Sequence, residues 1–249
     1  MNLAVTSPSR RSIICGLPIA LVLATAVSGA TAGNVNAGVL PPNAHAFGKT
    51  YGAWSAAWWQ YVVAQPASSN PLFDATGAGC RTGQSGKVFF LVGDGTSPRD
   101  QCTVPIGKAL FFPLVNAFNV NTPSVEPPKT AQEAWDELEG AFGPISELHA
   151  SIDGVAVANL DPATTRYRAC AGPAARCGAP AFSMFLPAEN IFGNPGITEG
   201  TYEPAVADGF YLLLTPLTPG PHTITFGGKG LYGGGPIVQN TTYNLVVSK

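Results

Sequence analysis

Apolar residues along this chain form first a dense block broken by Gly16 and Pro18, then a run with helical period, and then short stretches with the length and alternation of β-strands. The block spans Ile13 to Val27, with Arg10 and Arg11 before it and Ala30-Thr31-Ala32 after it. A basic start, an apolar middle and an Ala-x-Ala end are the three parts of a secretory signal peptide. Residues 1–32 are therefore expected to be a leader cleaved after Ala32, and Cys15 to be discarded with it. Residues 33–48 lack periodicity and read as a flexible arm, leaving 49–249 as a single domain.

Thr50 to Gln65 contains no charged residue. Thr50 is placed to cap a helix and Pro66 to stop it. At 100° per residue Tyr51, Trp54, Trp58, Tyr61 and Val62 share one face, while Ala53, Ala57, Gln60 and Ala64 share the other. A helix with one bulky face, one smooth face and no charge is normally buried on both sides. A second helix is predicted over Ala131 to Phe142, where Thr130 and Glu133 form a capping box and Gly143-Pro144 follows.

Short apolar runs fill the remainder. Val88 to Val92 and Ala109 to Val115 read as paired strands. Glu147 to Ile152 and Val155 to Leu160 flank Asp153-Gly154, a strong hairpin signal. Later runs are Ala181 to Leu186, Phe210 to Thr215, His222 to Phe226 and Thr241 to Val247. The glycine run from Gly227 to Gly235 reads as a flexible loop. Many short strands between Pro and Gly turns predict a mainly β fold, an antiparallel β-sandwich or jelly roll with two peripheral helices.

Composition narrows the setting. Charged residues make up 11 % of the chain and net charge is −2, becoming −4 once the leader and its two arginines are gone. Such a balance argues against a nucleic-acid partner. No second apolar stretch is long enough to span a bilayer, so no stable membrane anchor is expected. Cys80, Cys102, Cys170 and Cys177 survive cleavage, and an even count in an oxidising compartment reads as two disulfides. Of the three pairings, the sequence-local one, Cys80 with Cys102 and Cys170 with Cys177, is favoured. A zinc site competes poorly because C-x-x-C and C-x-x-H pairs are missing, and no metal or cofactor is expected.

Two stretches carry a family resemblance: Tyr51-Gly52-x-Trp54-Ser55-x-x-Trp58-Trp59-Gln60, and Asp208-Gly209-Phe210-Tyr211 leading to Pro216-Leu217-x-Pro219-Gly220-x-His222-x-Ile224-x-Phe226-x-Gly228. Gly83-Gln84-Ser85-Gly86, Cys102 to Pro105 and Lys108 to Pro113 fit the same pattern. The chain resembles an uncharacterised family of exported bacterial proteins sharing a signal peptide, a tryptophan-rich first helix and a closing hairpin. The likeness covers about half of the mature chain and implies a secreted or periplasmic setting in bacteria. It supplies no catalytic residues.

Candidate chemistry is incomplete wherever it occurs. Tyr51, Trp54, Trp58 and Tyr61 suit a stacking platform for sugar rings, although the same rings suit a core; Trp59 points away from that stripe and fits either use. Strand alternation puts Glu147, His149 and Ser151 on one face, a pattern suited to acid–base work and equally to an ordinary polar strand face. Asp208 and His222 flank the last hairpin, where an acid would orient an imidazole as a base, or each would simply close a turn. The nucleophile elbow, the zinc-protease motif, the EF-hand loop and the P-loop are missing. The leading expectation is a secreted, disulfide-stabilised β-sandwich that binds a carbohydrate or other small-molecule envelope ligand through Tyr51, Trp54, Trp58 and Trp59. The alternative is a secreted hydrolase of small esters, lactones or glycosides, with His149, Glu147, His222 and Asp208 as its catalytic candidates. A passive structural protein is the third reading, so whether the chain is an enzyme stays open at this stage.

Overall fold

The first helix, α1 (Tyr51–Val63), begins where the Thr50 hydroxyl accepts a hydrogen bond from the Ala53 N–H at 3.1 Å, a cap that stabilises by about 1 kcal/mol. The computed structural model describes residue 36 and residues 38–93, 98–123 and 126–249. The leader expected over residues 1–32 lies outside the described residues.

Ten of the thirteen residues of α1 are buried. The helix is an internal layer rather than the peripheral element expected, and its lack of charge is what permits this. One side packs on a sheet: the Tyr51 ring meets Phe111 edge-on at 5.8 Å, and the Tyr51 hydroxyl donates to Leu40 O and accepts from Leu213 N. The indoles of Trp54 and Trp58 donate to Ala46 O and Leu91 O, tying the helix to the chain on its other flanks. Gly52 is needed for this fit, since a Cβ there would strike the Cys170 carbonyl.

The sheet beneath α1 is built from β1 (Val88–Phe90), β4 (Ala109–Val120), β7 (Arg168–Gly172), β8 (Ala179–Pro180), β9 (Phe182–Leu186) and β10 (Gly200–Leu214). Its order is β1-β4-β10-β7-β8, with β9 on the first half of β10 and β7 on the second. A second sheet runs β2 (Pro98–Arg99), β12 (Gly235–Ser248), β11 (Gly220–Tyr232), β5 (Phe142–Ile152) and β6 (Val155–Ala156), with β3 (Thr103–Pro105) also on β12. The sheets stack through Phe112 on Phe226 at 4.5 Å, and Tyr243 lies parallel to Phe226 at 6.3 Å. The first sheet is thus covered by α1 on one face and by the second sheet on the other. Every residue of β4 from Ala109 to Val115 and of β10 from Ala205 to Leu214 is buried as a result, the pattern expected of strands covered on both faces.

The mainly β architecture matches the sequence reading, with one correction. The sheets are mixed, because β1 pairs with β4, β2 and β3 with β12, and β7 with β8 in parallel. These partners are two to five residues long, and the long strands that carry the sandwich are antiparallel to one another.

The second helix, α2 (Ala131–Ala141), has the expected capping box but passes directly into β5, so Gly143 and Pro144 lie within a strand. The glycine run also differs from expectation: Gly227, Gly228 and Gly230 are strand residues of β11, paired with β12 and β5. A Cβ on Gly227 would collide with the Gln239 carbonyl, so here glycine allows close strand approach rather than flexibility. The arm is partly tied down: Val39 bridges to Leu214, and the Leu40 N–H bonds to Leu213 O at 2.8 Å. Both expected disulfides are present, Cys80–Cys102 and Cys170–Cys177. Among the described residues no helix is long and apolar enough to cross a membrane.

Candidate functional site

The two histidine–carboxylate sets fall in different places. Glu147 and His149 share the outer face of β5, with His149 Nδ1 3.4 Å from Glu147 Oε1 and His149 Nε2 3.3 Å from Asn240 Oδ1. Lys229 bonds Glu147 at 2.7 Å and holds its carboxyl below the ordinary range. Ser151 lies on the same strand, where its neighbours are Thr225 and Ala156.

Asp208 and His222 do not meet. Asp208 is buried in β10, where Arg168 grips it from Nε at 3.2 Å and Nη2 at 2.6 Å, and Gly209 N donates to it at 2.8 Å. This grip raises the Arg168 pKa. His222 instead takes Asp153 as partner, 2.8 Å from Nδ1, while Nε2 lies 2.8 Å from Thr218 O. Desolvation opposes the charge of His222, but the bonds to Asp153 and Thr218 and the nearby carboxylate outweigh it and raise its pKa. Both ring nitrogens are occupied, and the imidazole acts as a clamp between two turns.

The aromatic candidates are nearly all interior. Tyr51, Trp58 and Trp59 are buried; Trp58 meets Trp59 edge-on at 4.8 Å, and Trp59 lies 4.2 Å from Phe118. Tyr211, fully buried below α1, faces Asn116, Trp59 and Ser55, and burial pushes its phenol up. The stretches Tyr51 to Gln60 and Asp208 to Tyr211 therefore meet at this helix–sheet contact. Their aromatic residues assemble it.

Trp54 is buried as well but borders a cavity. With Tyr61 and Phe90 it lines a cavity of about 470 Å³ between α1 and the segment from Gly83 to Phe90. Trp54 and Tyr61 are 9 % and 8 % exposed, and Phe90 is half-buried. Gln84 builds this wall. Its amide nitrogen donates to Tyr61 Oη at 3.0 Å and Phe90 O at 2.7 Å, and its amide oxygen accepts from Phe90 N at 3.0 Å. Tyr61 in turn donates to Thr82 O at 3.0 Å. Gln60, Gln65 and Ser85 supply polar groups to the lining, and Lys49 and Lys87 supply charge.

Two other cavities have similar volume, so their linings decide between them. One, about 450 Å³, includes Arg168, Phe210 and Glu139, but the Arg168 charge is already matched by Asp208. The other, about 500 Å³, has Phe182 as its single ring. The Trp54 cavity joins three rings to polar groups and is the candidate site.

Of the aromatic residues named from sequence for ligand binding, Trp54 and Tyr61 line it, and Tyr51, Trp58 and Trp59 do not. Lys49, Gln60, Lys87 and Phe90 are the site residues that reading left out. The sequence signal for the missed residues is slight: Lys87 directly precedes β1, and Lys49 stands just before Thr50, the cap of α1. Among the described residues no group of three or more His, Cys, Asp or Glu is placed to hold a metal ion. Comparison with known proteins returns no match to a family model, a curated protein or a solved structure.

Proposed function

We propose that the protein is an exported saccharide-binding protein whose site is the cavity between α1 and the Gly83 to Phe90 segment. The observation that carries this reading is the gathering of Trp54, Tyr61 and Phe90 in one wall beside the polar side chains of Gln60, Gln65 and Ser85. Sugar rings present apolar C–H faces and polar edges, and such a wall offers complementary surface to both. The cavity volume suits one or two sugar units at a time. Two disulfides are in keeping with a chain that works in oxidising surroundings outside the cytoplasm.

The test places a side chain in the cavity while sparing the fold. Ala57 lines the site on α1 and is half-buried, and glutamine is a good helix former. Titrating the protein with a panel of oligosaccharides while following tryptophan emission should show saturable binding. Ala57→Gln should weaken it by about tenfold or more, from steric loss of about 1.4 kcal/mol, with the melting temperature nearly unchanged. A panel that leaves the emission flat, or binding that Ala57→Gln leaves intact, would count against this site.

A further inference from the structure

The charge around this cavity is one-sided. Lys49 and Lys87 line it, and the lining contains no Asp or Glu. The chain as a whole carries more acids than bases, 15 against 13, so this is a local concentration and not the average composition. Lys49 Nζ sits 5.1 Å from the centre of the Trp54 ring, held over an aromatic face rather than by a carboxylate. Lys87 has no ion-pair or hydrogen-bond partner for its ammonium among the described residues. Lys108 adds a third cation beside the rim, bonded to the Gly86 carbonyl. The carboxylate on the same stretch of chain, Asp74, is occupied by the N–H groups of Thr76 and Gly79 and by the Thr76 hydroxyl.

From this arrangement we infer that the ligand is an acidic saccharide, whose rings pack against Trp54, Tyr61 and Phe90 while its anionic substituents pair with Lys49 and Lys87. This rests on the saccharide reading and adds the charge of the ligand to it. Lys49 and Lys87 are exposed at the rim, and a neutral sugar would leave their charge without a ligand partner. An anionic one gains from a field that the pocket walls concentrate.

A matched pair of probes separates the two readings: an oligogalacturonate and the same oligomer with its carboxylates methyl-esterified, each titrated calorimetrically into the oxidised mature protein. The acid form should bind about tenfold more tightly than the ester at low salt, as two exposed charge pairs allow. That preference should shrink at high salt. Replacing both lysines, as Lys49→Gln with Lys87→Gln, should bring the acid-to-ester ratio close to one. Lys229→Gln, on the far sheet, should leave the ratio as it is. Equal binding of acid and ester, or a preference that survives the double substitution, overturns the acidic ligand and leaves the saccharide site standing. Binding of neither oligomer overturns the acidic ligand, and a flat response to the whole oligosaccharide panel overturns the saccharide reading with it. Binding to phosphatidylglycerol vesicles but to neither oligomer, lost in the double variant, would assign the cations to a lipid surface instead.

Discussion

His222 shows how one side chain can resemble a catalytic base in sequence and serve as a pH-linked clamp in the fold. Its partner Asp153 occupies the hairpin turn between β5 and β6, at φ 50°, and also accepts from Thr223 N at 2.9 Å. Although desolvation opposes it, the bonds from His222 and Thr223 lower the Asp153 pKa. Each shift has a stability consequence of known sign. The raised His222 pKa stabilises the fold fully below the unfolded value of about 6.5 and ceases to do so as pH rises through the folded pKa. The depressed Asp153 pKa stabilises above its unfolded value of about 4, and that contribution is lost as pH falls through the folded pKa. The clamp is therefore complete between about pH 4.5 and 6. Thermal melts of the wild type and His222→Gln from pH 4 to 9 should differ most in that window and converge toward alkaline pH. A gap that stayed constant to pH 9 would show that the imidazole contributes only neutral hydrogen bonds.

At the scale of elements, glycine was the hardest residue to read. Gly227 and Gly140 are equivalent letters in a sequence, yet the first faces the Gln239 carbonyl across a strand pair and the second stands in α2 with open space where a Cβ would go. Gly227→Ala should destabilise by about 1–3 kcal/mol through overpacking, whereas Gly140→Ala should stabilise by about 0.5 kcal/mol by favouring the helix. Urea midpoints of the two variants check both signs. The same contrast explains what was legible. Both helices could be read because Thr50, Thr130 and Glu133 cap them by local hydrogen bonds, and local chemistry is written in neighbouring residues. The early start of β10 was hidden: Pro204 interrupts the run, and in the fold it sits where the pairing with β9 shifts register between Tyr202 and Ala205. Asp208 was misassigned for a tertiary reason, since nothing near it in the sequence announces that Arg168, on a neighbouring strand, neutralises it. The candidate site was legible at Trp54 and not at Lys87 or Phe90, which reach it only through the pairing of β1 with β4.

Taken as a whole molecule, the fold makes the site depend on oxidation. One wall of the cavity is the stretch from Gly83 to Lys87, which among the described residues has a turn rather than regular structure until β1 begins. The Cys80–Cys102 bridge pins the start of that stretch beside β3, and Gln84 carries the restraint on, by donating to Cys80 O and bonding Phe90. The Cys170–Cys177 bridge closes a loop after β7 whose residues do not line this cavity. In the chain-entropy account the first bridge stabilises by about 3 kcal/mol and the second by about 2. Stability alone would therefore rank the bridges close together, but ligand affinity should separate them. Cys80→Ser with Cys102→Ser should lose most oligosaccharide binding even at a temperature where the domain stays folded, while Cys170→Ser with Cys177→Ser should bind nearly as the wild type does. Circular dichroism and tryptophan titration on the same samples distinguish a dismantled wall from a melted domain. Equal loss in both pairs would mean that the bridges act through global stability, and that the wall does not depend on its own covalent anchor.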